Sequence, residues 1–362
     1  MPLTVEELLK TAVARDASDL HLKANCPPLL RIYGELIPMD LPHLSPEEAR
    51  RLCYTLLGPQ EKEQFEREWE LDFGLQLPGI ARFRCNFFIQ RGMVGGVFRV
   101  IPFHVQTIEE LGLPEVARQF AERPRGLVLI TGPAGCGKST TQAAMIDHVN
   151  KHTPCHIVTV EDPIEFLHEP RMALINQREL GQDTRSFDNA LKYVLRQDPD
   201  VILVGEMRDL ETVQLAIRAA ETGHLVLGTL HTTDAVQTVD RAIDIFPTHQ
   251  QQQIRMQLSV NLLGVISQIL VRRGDGRGRV AAFETLVAIS AVRNSIRERK
   301  THQISSVIQT GVQHGMMTLD QSLAHLVRSG IVAYEEARSK AKDVREFTQL
   351  TGVQEVTEEA AT

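Results

Sequence analysis

The spacing of apolar positions changes part-way along the chain. Over residues 4–15 they recur every three to four residues, the spacing of a helix with one buried face. Residues 19–22 (Asp-Leu-His-Leu) and 30–33 (Leu-Arg-Ile-Tyr) alternate as strands do, and Pro27-Pro28 joins them. Ser45-Pro-Glu-Glu48 is a capping box with proline at the first helical position, so a helix opens there and runs to about Leu57. Residues 83–90 and 96–101, rich in Phe and Val, predict paired strands. From Arg125 short apolar runs alternate with helical stretches, and residues 127–131, 157–160, 201–204 and 225–230 predict strands. This alternation predicts an α/β fold, a parallel sheet covered by helices on both faces. Such sheets bind ligands at the carboxyl ends of their strands. After Pro247 the pattern predicts helices, apart from a strand around residues 279–285.

These elements divide the chain into an N-terminal α+β domain (1–102), a linker (103–114) and an α/β domain with C-terminal helices (115–352). The linker expectation rests on proline, glycine and the loss of any strong period. Residues 353–362 predict a disordered acidic tail. At 362 residues each domain is large enough to bury its own core. No apolar run reaches about 18 residues, so no membrane span is expected. The acidic start lacks the basic flank and apolar core of a signal peptide. The five cysteines form no Cys-x-x-Cys pair, which argues against a zinc site and a disulfide framework. A net charge of −7 gives no general pull toward nucleic acid, and with 5% aromatics no strand-binding stretch stands out.

The strongest chemical signal is Gly132-Pro133-Ala134-Gly135-Cys136-Gly137-Lys138-Ser139, followed by Thr140. It is a glycine, four residues, then Gly-Lys-Ser, set between a buried strand and a helix. Glycines let the backbone curl until its N–H groups face inward, a nest for phosphate oxygens at a helix N-terminus. Lys138 would reach the β- and γ-phosphates, and the Ser139 hydroxyl would hold Mg²⁺. A nucleoside triphosphate is the expected ligand. Cys136, at a helix N-terminus beside Lys138, is expected to have a lowered thiol pKa; the plainer reading is a small residue whose backbone alone works.

Three further segments end strands of the same sheet. Asp200-Val-Ile-Leu-Val-Gly-Glu206 delivers Glu206 to the catalytic edge, where a carboxylate orients attacking water or helps hold Mg²⁺. Gly205 stands where many phosphate-loop ATPases place the metal-linked Asp. Glu161, Asp162 and Glu165 crowd one loop, at a cost in like-charge repulsion unless a cation sits nearby. His224 and His231 flank a strand and, seven residues apart, face opposite sides, so they are not a paired metal site; either could sense the γ-phosphate. Alone, each segment also suits an ordinary strand end, acidic turn or core histidine.

Taken in order, the four segments resemble those of the type II/IV secretion ATPase superfamily, and within it the type IV pilus retraction ATPases (the PilT family). Ser18-Asp-Leu-His-Leu and Arg82-Phe-Arg84 match as well. Ala291-Val-Arg-Asn-Ser-Ile-Arg-Glu298 resembles the retraction motif Ala-Ile-Arg-Asn-Leu-Ile-Arg-Glu at six of eight positions, with Ser295 replacing Leu. The four-cysteine insertion and extra N-terminal domain of assembly ATPases are not found. The resemblance implies a PAS-like N-terminal domain and a RecA-like phosphate-loop domain in a hexamer. It implies Mg-dependent ATP hydrolysis that powers pilus retraction, with Arg82, Arg84 and Arg99 as candidate arginine fingers. Glu206 is first choice for positioning water and Glu161 second; both, with Ser139, are candidate Mg²⁺ ligands. His224 is placed with the nucleotide-binding residues and His231 with the catalytic ones. The expected partner is the inner-membrane pilus platform protein, with the chain cytoplasmic and peripheral at the membrane's inner face. A retraction paralogue, an assembly or secretion ATPase, a nucleic-acid motor and a nucleotide-gated scaffold are the alternatives.

Overall fold

The computed structural model describes residues 3–32, 34–101 and 105–353. They form two compact units that divide between residues 104 and 105. In the first, Thr4 and Glu7 exchange capping hydrogen bonds and start α1 (Val5–Ala14), whose buried face is Val5, Leu8, Leu9 and Ala12. β1 (Asp19–Lys23), β2 (Leu29–Ile32) and β3 (Glu35–Pro38) follow. The Ser45 capping box opens α2 (Pro46–Tyr54), and α3 (Pro59–Glu68), β4 (Glu70–Leu77), β5 (Ala81–Gln90) and β6 (Met93–Ile101) complete the unit. The antiparallel sheet runs β3-β2-β1-β6-β5-β4. Its core holds Phe65, Phe73 and Phe98, each edge-on to Phe87 at centroid separations of 5.0–6.2 Å.

The second unit contains α4 (Glu115–Ala121), β7 (Gly126–Thr131), α5 (Lys138–His152), β8 (His156–Glu161), β9 (Leu174–Glu179), α6 (Phe187–Val194), β10 (Val201–Val204) and α7 (Leu210–Glu221). β11 (Leu225–Leu230), α8 (Ala235–Asp244), α9 (Thr248–Asn261), β12 (Leu262–Arg272) and β13 (Arg279–Val287) follow. The chain closes with α10 (Ser290–Arg297), α11 (Ile304–Thr310), α12 (Leu319–Arg328), α13 (Tyr334–Arg338) and α14 (Val344–Thr351). The seven-stranded sheet runs β13-β12-β7-β11-β10-β8-β9, parallel except for β13. It is a RecA-like α/β core. Every residue of β7 is buried; Leu127 and Leu129 feed the core on one face, Val128 and Ile130 that on the other. The registers align strand ends, so Thr131, Glu161, Glu206 and His231 all emerge at one edge.

The sequence pattern mistakes one element. Residues 262–272, expected to be helical, form the 11-residue strand β12, hydrogen-bonded to both β7 and β13. β12 follows α9 with no Gly or Pro between them, so no break marks the change, and two flanking strands decide it. The pattern also does not predict β3, β4 or β9. Of the expected linker, the described part from Val105 packs on the second unit, where Ile108 is buried and Leu113 lies against the core. The expected tail lies outside the described residues except for Val353. Among the described residues no helix is long and apolar enough to cross a membrane.

Candidate active site

The phosphate loop joins β7 to α5. Gly132 has φ +142°, and a Cβ there would lie 2.2 Å from the Gln268 carbonyl oxygen, so only glycine fits. Pro133, Ala134 and Gly135 are exposed at the tip, and Ser139 is exposed on the first turn of α5. Lys138 Nζ donates to the carbonyls of Gly132 (2.9 Å) and Pro133 (3.0 Å), which hold the ammonium over the loop. From below, buried Gln268 on β12 donates Nε2–H to the Cys136 carbonyl (2.7 Å) and accepts the Thr141 hydroxyl (2.8 Å). With that carbonyl tied inward, the loop keeps the curl that a phosphate nest requires.

Cys136 departs from the expected reactive thiol. It is 3% exposed, and burial pushes its thiol pKa up despite the opposing Lys138 charge. The helix N-terminus does not win, because the side chain points into the protein beside Gly132.

Glu206 is held by an arginine and a histidine nitrogen. Arg208 Nε and His231 Nε2 each lie 2.5 Å from its Oε1. Burial raises the carboxyl, but these hydrogen bonds outweigh it and the pKa is lowered. Glu161 differs: burial holds its carboxyl above the usual range, opposed by hydrogen bonds from the Thr159 hydroxyl (2.6 Å) and Gln177 Nε2 (3.2 Å), both to Oε1. Gly205 between the two strand ends carries no side chain because a Cβ there would lie 3.1 Å from both Glu161 Cα and the Val160 carbonyl oxygen. A side chain there would press on the β8 backbone.

His224 is not brought to this site. It precedes β11, its carbonyl accepts the Gly126 N–H, and its ring Nδ1 lies 2.9 Å from the Ala219 carbonyl oxygen. That is the amino edge of the sheet, about 20 Å along β7 from the phosphate loop. The expectation of a nucleotide contact within this unit is therefore corrected. Arg82 and Arg84 alternate on β5 with buried Phe83 and Cys85, on the face away from the core of the first unit. Arg99, in register with Arg84, donates Nε–H to buried Asp19 at 3.0 Å.

Three residues escaped sequence reasoning: Arg208, Gln177 and Gln268. Gln268 left a trace, because Ser267-Gln268 interrupts an otherwise apolar run and a buried amide needs partners. Among the described residues no group of three or more His, Cys, Asp or Glu is placed to cage a metal ion. The hydroxyl and carboxylate oxygens at the phosphate edge instead suit Mg²⁺ shared with phosphate oxygens.

A phosphate loop at the carboxyl edge of a parallel sheet, faced by two carboxylates, a histidine and an arginine, defines a nucleoside-triphosphate hydrolase of RecA-like fold. The family model for type II/IV secretion system proteins matches residues 97–359, and the chain belongs to that family. It is 50% identical over 345 residues to the type IV pilus retraction ATPase PilT of Pseudomonas aeruginosa, covering 95% of this chain and 100% of that one. It is also 50% identical over 340 residues to the twitching motility protein of Neisseria gonorrhoeae, covering 94% and 91%. The solved structure of the pilus retraction motor PilT with bound ADP superposes with TM-score 0.89 at 45% identity, over 95% of this chain and 98% of that one. The protein is a nucleotide-binding ATPase.

Proposed function

We propose that the chain is the subunit of a hexameric motor that hydrolyses ATP to retract type IV pili and so drives twitching motility. The observation that carries this is the near end-to-end match, in sequence and fold, with a pilus retraction motor. Loop amides and Lys138 bind the β- and γ-phosphates. Ser139 with Glu206 and Glu161 would hold Mg²⁺, which supplies charge neutralisation at the phosphates. Glu206, kept ionised by Arg208 and His231, accepts a hydrogen bond from the attacking water and orients it. Charge that builds on the γ-phosphoryl oxygens is met by Lys138 and by Arg82 and Arg84 of a neighbouring subunit; such arginines are worth roughly 10³–10⁵ in rate. The motor works in the cytoplasm against the pilus platform protein of the inner membrane. In a strain lacking its own retraction ATPase, this chain should restore twitching and Lys138→Ala should not. An active ATPase that fails to restore it would move the chain to a different machine.

A further inference from the structure

We infer that Gln177 is a positioning residue for hydrolysis: its single amide fixes both the Glu161 carboxylate and the acidic loop that follows it. The inference rests on the reading that Glu161 serves ATP hydrolysis. Gln177 lies on β9, in register with Thr159 on β8. Its Oε1 accepts the His168 N–H at 2.8 Å, and its Nε2 donates to the Phe166 carbonyl at 2.8 Å. These two bonds settle which way the amide points. A flipped amide would set N–H against N–H and oxygen against oxygen. The second hydrogen of Nε2 is therefore committed to Glu161 Oε1, at 3.2 Å.

The loop has other anchors. Glu179 Oε2 accepts the Ile164 N–H at 3.1 Å, and Asn150 accepts the Arg171 N–H at 3.0 Å and donates to the Glu169 carbonyl at 2.8 Å. Gln177 differs from these in also reaching Glu161. The Thr159 hydroxyl joins it on the same carboxylate oxygen. Two donors on one oxygen fix the plane of the carboxylate, and orientation of that kind is what catalysis by positioning depends on.

A double-mutant cycle on the full chain tests this, with kcat at saturating ATP and the ADP Kd measured for Gln177→Ala, Glu161→Gln and the pair. Gln177→Ala should lower kcat about tenfold or more while the ADP Kd stays within about twofold. The double variant should turn over no more slowly than Glu161→Gln alone, because Gln177 acts through Glu161. Gln177→Glu, which keeps the acceptor for His168 and loses the donor, should behave like Gln177→Ala. Multiplied losses in the double variant, or a Kd weakened in step with kcat, would reduce Gln177 to a structural tie of the loop. A wild-type rate in Glu161→Gln would overturn the reading beneath it instead.

Discussion

His231 Nε2 and Glu206 Oε1 lie 2.5 Å apart, across the carboxyl ends of the neighbouring strands β11 and β10. The same carboxylate oxygen takes the Arg208 Nε–H. Two strand ends thereby become one hydrogen-bonded group, and the lowered carboxyl pKa keeps Glu206 an acceptor throughout the neutral range.

Glu206→Gln should therefore spare ATP binding and leave less than about a tenth of wild-type turnover. Equilibrium nucleotide binding beside steady-state hydrolysis checks it. A larger residual rate moves water positioning to Glu161.

Gln268→Ala should weaken nucleotide binding by roughly tenfold, because the Cys136 carbonyl and the Thr141 hydroxyl lose the partner that holds the loop in its curl. Calorimetric titration with ADP reads the loss directly.

The Cys136 thiol should resist alkylation in the folded protein at pH 8, since burial raises its pKa. Cys136→Ala should hydrolyse ATP at close to the wild-type rate. Mass spectrometry after a timed exposure to iodoacetamide, followed by an ATPase assay, checks both.

Acid should destabilise the second unit through His168, whose ring pKa burial drives down to about 4. The unfolded chain takes up a proton near pH 6.5 and the folded one does not, so stability is full above pH 6.5 and falls as pH drops toward 4. The loss reaches up to about 3 kcal/mol. His168→Gln should flatten denaturation midpoints across that window while leaving the neutral-pH value little changed.

Legibility in the sequence follows from how local each signal is. The phosphate loop is a contiguous motif, and Glu161, Glu206 and His231 each end a contiguous apolar run, so their shared edge follows from parallel-strand logic alone. The pairing of Glu206 with Arg208 and His231 depends on side-chain directions at that edge, which no spacing specifies. Gln268 is hidden because the pattern predicts helix over residues 262–272, whereas its contacts to the phosphate loop depend on β12 lying beside β7. His224 and His231 share a motif but sit at opposite ends of one strand, a separation that the spacing alone does not reveal. Ser295 is resolved locally, since its buried hydroxyl donates to the Ala291 carbonyl at 3.0 Å within α10.

The central claim, a ring motor whose sites need a neighbouring subunit, is tested most directly by ATP turnover against protein concentration, with mass followed by light scattering. The account predicts a six-fold mass and a rate per subunit that rises as the ring assembles. Full turnover from the monomer would contradict it.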